Sequence, residues 1–320
     1  MNRIVALLGA LAVSLSTYAQ SGKVYRIGML ETTSASTNRV NLDAFLRGLR
    51  ELGYVEGKNI VIDYRSVDGR PGRLAELAAD LARAKPDIIV TRGTEAALAA
   101  KATGLPVVMT TSADPIGGGV VSNLARPGGN VTGFSTMVGE VSTKRVELVG
   151  QLVPRGSRIA TILDLANLVT QTERKQVERT AGVLGLQVTV FDVADREALN
   201  QALDRSVQQG VSALLVNAAP VLLANRRQIV DFAASHKLPV VYTNRQYVDI
   251  GGLMSYGVDN SHNYYRAATY VDKILRGAKP GDLPIEMPSQ LALVINMKAA
   301  EAIGLKIPEK LLLRADEVIR

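Results

Sequence analysis

From Val24 onward, short apolar runs rich in β-branched residues alternate with longer amphipathic segments. The spacing predicts strands at Tyr25–Leu30, Ile60–Tyr64, Asp87–Thr91, Val107–Thr110 and Val131–Phe134. A second set follows at Arg158–Leu163, Gln187–Phe191, Ala213–Val216, Val240–Tyr242 and Leu253–Tyr256. Most are apolar on both faces, as parallel strands are when helices cover the sheet on each side. Between them, Leu42, Phe45, Leu46 and Leu49 recur at helical spacing, as do Leu74, Leu77, Ala78 and Leu81, then Leu199, Ala202, Leu203 and Val207. Gly53, Pro86 and Gly210 stand where these helices should stop. The pattern is βαβα twice over, with a join near Asp114–Gly156 that holds three consecutive glycines and a helix candidate at Val141–Leu152. It predicts an α/β protein of two doubly wound parallel-sheet lobes with right-handed crossovers. Beyond Leu253 come a helix at His262–Arg276, a turn at Lys279–Pro284, a strand at Leu291–Ile295 and a helical tail, enough chain to cross back to the first lobe and return.

The N-terminal residues have a different pattern. One positive charge at Arg3 precedes an apolar run from Ile4 to Val13, and Thr17, Tyr18 and Ala19 have the form of a signal-peptidase site. The run is too short to span a bilayer, which takes about 20 apolar residues. Residues 1–19 are therefore expected to be a signal peptide, and their removal would take the formal net charge from +7 to +6. With no cysteine in 320 residues, the chain has no disulfide framework, thiolate metal site, cysteine nucleophile or lipoprotein anchor. The basic excess forms no cluster interleaved with aromatics, so no nucleic-acid partner is expected.

In open α/β sheets, ligands bind beyond the carboxyl ends of the strands. Those positions in the first half hold Thr32, Thr33, Ser34, Gly93, Thr94, Glu95, Thr111, Ser112, Ala113 and Asp114; in the second half they hold Asp164, Asn167, Asn217, Ala218, Asn244, Arg245, Tyr256 and Asp259. Hydroxyls and helix N-terminal amides suit a carboxylate, and Asp114 suits an ammonium. Each has a plainer reading. Thr94 also fits a helix cap, Asp114 before Pro115 also fits a turn, and Asn217 and Asn244 also fit strand-end turns. Convergence on one edge favours a site. Enzyme chemistry has less support: His236 and His262 lie away from the strand ends, and neither a nucleophile elbow nor a phosphate loop is present. No cofactor and no metal are expected.

Several stretches resemble one family: FLRGLRELGYVEGKNI from Phe45, LARPGGNVTG from Leu124, GGLMSYG from Gly251, YVDKILRGAKP from Tyr270 and LLRADEVI from Leu312. It is the ABC-transporter substrate-binding protein family, whose members include tryptophan- and tyrosine-binding proteins, and the similarity runs from Tyr25 to Ile319. The resemblance implies a type I periplasmic-binding-protein fold, with lobes of about 24–115 plus 243–285 and 116–242 plus 286–320, joined by a multi-segment hinge. It implies capture of a small organic solute, an amino acid or aromatic acid by preference, for delivery to an ABC permease with its separate ATPase. The protein is then expected as a soluble periplasmic monomer, not an enzyme, with Thr32, Thr33, Ser34, Gly93, Thr94, Asp114, Asn167, Asn217, Asn244 and Tyr256 at the ligand. Gln246 and His262 depart from the family pattern, which often has Glu and Asp there, and are left out of the site. An exported α/β enzyme and a sensory binding protein remain the competing readings.

Overall fold

The chain is described by a computed structural model that covers residues 23–68, 71–166, 168–287 and 291–320. The expected signal peptide and Asn167 lie outside the described residues. In the first half, β1 (Tyr25–Glu31), α1 (Arg39–Glu51), β2 (Ile60–Ser66), α2 (Leu74–Arg83), β3 (Ile88–Arg92), α3 (Thr94–Lys101), β4 (Val107–Thr111) and β5 (Val131–Gly133) follow one another. Next come α4 (Val138–Gly150), β6 (Arg158–Leu163), α5 (Leu168–Leu184), β7 (Gln187–Asp192), α6 (Arg196–Gln208), β8 (Ala213–Val216), α7 (Pro220–Ala224), α8 (Arg226–Ser235), β9 (Val240–Tyr242), α9 (Arg245–Val248) and β10 (Met254–Val258). The chain ends with α10 (Asn260–Leu275), β11 (Leu291–Asn296), α11 (Met297–Ala302), α12 (Glu309–Leu312) and β12 (Glu317–Ile319).

Two sheets result. The first has the order β2-β1-β3-β4-β5 and is parallel throughout. The second has the order β7-β6-β8-β9-β10-β11-β12 and is parallel except where β10 meets β11. Five strands of each sheet share one doubly wound order, so each sheet has a switch point, between β1 and β3 in one and between β6 and β8 in the other. Apolar runs are buried on both faces, as the sequence pattern requires. Phe45, Leu49, Tyr264 and Val271 pack on one face of the first sheet, and Leu74, Leu77, Leu81 and Ala97 on the other. The second sheet is covered by Leu199, Leu222, Ile229 and Tyr247 on one side and by Val146, Val149, Val177 and Leu311 on the other.

Sheet membership differs from the expected lobe boundaries in two places. β5 adds to the edge of the first sheet beside β4, so the chain first crosses at Phe134–Met137 rather than after residue 115. β10 pairs with β9, which keeps residues 243–258 with the second sheet, and the return crossing comes at Asp259. α10 then packs on α1, so tightly that a side chain on Gly48 would meet the Tyr265 carbonyl oxygen at 2.6 Å. The last crossing begins near Glu286, alongside the first: the Ser135 N–H donates to the Glu286 carbonyl and the Glu286 N–H to that of Gly133, both at 2.9 Å. The tail is helical in part, but it also holds β12, which extends the second sheet from β11.

Candidate functional site

The two switch points face each other across a cleft of about 220 Å³. The first sheet contributes Thr32 and Thr33 after β1, Arg92 at the end of β3, then Gly93, Thr94 and Glu95. Opposite them stand Asp164 after β6 and Asn217 and Ala218 after β8, with Arg145 and Glu173 from α4 and α5. Gly93 makes the turn possible: its φ of +91° is left-handed backbone, and the turn brings the first amides of α3 to the cleft wall. Those amides have no acceptor within the helix, so the end of α3 is electropositive.

On the first-sheet side, Arg92 is held by a buried network. Its guanidinium donates to Asn38 Oδ1 at 2.7 Å, and Asn41 donates to the same oxygen at 2.8 Å. Behind Asn38 lies Glu31, fully buried, which accepts from the Tyr264 hydroxyl at 2.8 Å and from Asn38 Nδ2 at 3.2 Å. Burial pushes the Glu31 carboxyl up to about 7, against the opposing pull of Arg92 and the Tyr264 hydrogen bond. On the second-sheet side, Arg145 and Glu173, each 2% exposed, form an ion pair at 3.2 Å. Arg145 also donates to Asn217 Oδ1 at 3.0 Å, and the Ser142 hydroxyl donates to Glu173 at 2.7 Å. Burial holds Arg145 below and Glu173 above their ordinary values, so their attraction offsets only part of the desolvation.

Three buried polar groups in the cleft wall have no partner among the described residues: the Thr33 and Thr243 hydroxyls and Arg145 Nε. An unsatisfied buried polar group is costly, on the order of 1–3 kcal/mol, and an incoming polar ligand is one way of relieving that cost. Glu95 and Asp164, from opposite sheets, are half-buried. The Glu95 carboxyl is raised by burial and then by the charge of Asp164; that of Asp164 is raised by burial and by Asp192, against the Ala166 N–H. Among the described residues, no cation pairs with either carboxylate.

Of the residues singled out by the sequence, Thr32, Thr33, Gly93, Thr94, Glu95, Asp164, Asn217 and Asn244 line the cleft. Thr94 does not cap α3: its hydroxyl meets that of Ser112 at 3.0 Å and accepts from the Ala113 N–H. Asn244 does cap α9, accepting from the Gln246 N–H. Ser34, Asp114 and Tyr256 stand outside the cleft. The Ser34 hydroxyl donates to Thr37 within its own loop. Asp114 accepts from the Gly117 N–H at 2.8 Å, the turn role, and lines a separate pocket beside Met137 and Met287. Tyr256 packs at the margin of the second sheet's core. His236 stacks on Phe232, and neither histidine lines the cleft. Strand-end reading missed Arg92, one position before the turn it did find; it included Glu95 beside Thr94 but assigned that carboxylate no role. Arg145 and Glu173 lie on helices, out of reach of that rule; the signal was Ser142 and Arg145 within the apolar spacing of Val138, Val141 and Val149.

Comparison with known proteins agrees with this geometry. A structure from Streptococcus pneumonia, described as an ABC domain in complex with L-Trp, is 28% identical with a TM-score of 0.84, over 93% of this chain and 100% of that one. A conserved domain protein from Vibrio cholerae is 26% identical, also with a TM-score of 0.84, over 92% of this chain and 100% of that one. A tyrosine-binding protein of Clostridioides difficile is 26% identical over 264 residues, 82% of this chain and 76% of its own length. The two parallel-dominated sheets match type I periplasmic-binding-protein structures. The family described as ABC transporter substrate binding protein matches residues 27–319, and the chain belongs to that family.

Proposed function

We infer that the protein is exported, captures a carboxylate-bearing solute, an amino acid or aromatic acid, between its two lobes, and delivers it to a membrane permease. Membership of the family brings with it a small-molecule ligand and a permease with its ATPase. The observation that carries the reading of the solute is the cleft between two facing switch points, with three buried, unpartnered polar groups in its wall. On this reading the carboxylate rests against Arg92, the Thr33 hydroxyl and the first amides of α3, a charge-assisted arrangement. The solute's apolar part faces Val67, Val138, Val141 and Leu223, which line the same cleft. Relatives that bind tyrosine and L-Trp support an aromatic amino acid as the first candidate. The lobes close about the three crossing segments, and the solute stabilises the closed form because it touches both. The protein acts as a soluble, unlipidated periplasmic monomer, needs no nucleic acid, and releases its solute unchanged. Among the described residues, no helix is long and apolar enough to cross a membrane.

Isothermal titration of the mature protein against amino acids, aromatic acids, nucleosides and sugars tests this. Binding is expected among the first two groups. Saturable binding of sugars alone would overturn it, and turnover of a bound solute would favour an enzyme.

A further inference from the structure

The charges in the cleft wall do not balance. Arg145 is committed to Glu173, and Arg92 donates to Asn38 in front of the buried Glu31. Glu95 and Asp164 remain without a cation among the described residues. They come from different sheets: Glu95 from the first turn of α3, Asp164 from the end of β6. Thus each lobe carries one carboxylate without a cation to the same cavity, and closing the lobes brings like charges together. The Thr33 and Thr243 hydroxyls line that cavity too, 4% and 8% exposed and without partners among the described residues, which marks it as built for a polar guest rather than for water-exposed acids.

We propose that Glu95 and Asp164 form a two-lobe clamp for the ammonium group of the solute, so that the protein selects α-amino acids over the corresponding deaminated acids. An ammonium has three N–H donors and can satisfy a carboxylate on each side at once. It also replaces a repulsion between the lobes by two attractions, so closure is favoured only when an amine is present. The raised carboxyls at both positions agree with two acids that lack their cation. The proposal rests on the amino-acid reading of the cleft and decides between its two solute classes.

The test is calorimetric titration of the full mature chain with L-tyrosine and L-tryptophan, their deaminated acids (3-(4-hydroxyphenyl)propionate and indole-3-propionate) and their decarboxylated amines (tyramine and tryptamine). The same titrations are run on Glu95→Gln and Asp164→Asn, which keep shape and remove charge, with thermal melts confirming an unchanged fold. The amino acids are expected to bind about a hundredfold more tightly than the deaminated acids. Each variant should lose on the order of tenfold in amino-acid affinity and narrow that gap. Deaminated acids that bind as tightly as the amino acids overturn the clamp and leave the carboxylate reading standing. Amines that bind while amino acids do not, with loss in both variants, uphold the clamp and remove the amino-acid reading. Full affinity in both variants, or no binding by any amine-bearing compound, overturns the clamp.

Discussion

Glu31 ends β1 with its carboxylate fully buried between Asn38 and Tyr264, and burial pushes it up to about 7. Its ordinary value in the unfolded chain is about 4.5. Because the folded value is the higher, the native state binds the extra proton between the two. The stability Glu31 contributes is therefore fully present below about pH 4.5 and is lost as pH rises through about 7. The loss is on the order of 3 kcal/mol at high pH, an upper figure for so buried a group. Glu31→Gln removes the titration and keeps an acceptor for the Tyr264 hydroxyl. The variant should melt higher than the parent at about pH 8, with the advantage shrinking toward about pH 5. Melting curves across that range check this, and a constant difference would mean that Glu31 keeps its charge when buried. The same residue shows why Arg92 is held so firmly: Asn38 joins the acid and the guanidinium, so the cation at the cleft wall is fixed from behind.

Among the elements, β5 shows what the sequence reveals and what it hides. Its apolar run was legible, because parallel strands buried on both faces are continuous in sequence, and most strands were found this way to within two residues at their ends. The partner of β5 was not legible. It joins the first sheet because its end fits closely on β4, where a side chain on Gly133 would meet the Met109 carbonyl oxygen at 2.1 Å. That glycine also sits at φ +129°, disfavoured for other residues. Gly133→Ala should therefore cost roughly 2–4 kcal/mol, by contact and by backbone strain together. Chemical denaturation measures it; a loss below about 0.5 kcal/mol would show that β4 and β5 can part without penalty. β12 escaped notice because three residues are too few to show alternation, and it forms only because β11 offers an open edge. The cleft was half legible for a related reason. Strand ends are fixed by local pattern, so Thr33, Gly93 and Asn217 were found, whereas Arg145 and Glu173 reach the cleft only through the packing of α4 on α5.

At the scale of the molecule, two sheets of like order place their switch points face to face, and the acids that meet there make binding depend on pH. Glu95 and Asp164 are both raised, mainly by burial, with the charge of Asp164 adding to it at Glu95 and that of Asp192 at Asp164. Of the two arginines in the cleft wall, Arg92 is turned to Asn38 and Arg145 to Glu173. A raised carboxyl takes up its proton at a higher pH than an exposed one, and an ammonium can use it only when it is ionised. Binding must therefore expel whatever proton the pair holds, and affinity falls on acidification from a higher pH than free carboxylates would give. On acidification from about pH 7.5 to about pH 5, the affinity for L-tyrosine or L-tryptophan should decline. Proton release, read by titration in buffers of different ionisation enthalpy, should grow over the same interval. In the doubly substituted Glu95→Gln/Asp164→Asn protein both trends should flatten, while the steeper pH dependence of stability set by Glu31 remains. An affinity unchanged over this range in the parent protein would mean that the acids stay ionised in the open form and that their approach on closure, rather than proton competition, is what the amine relieves.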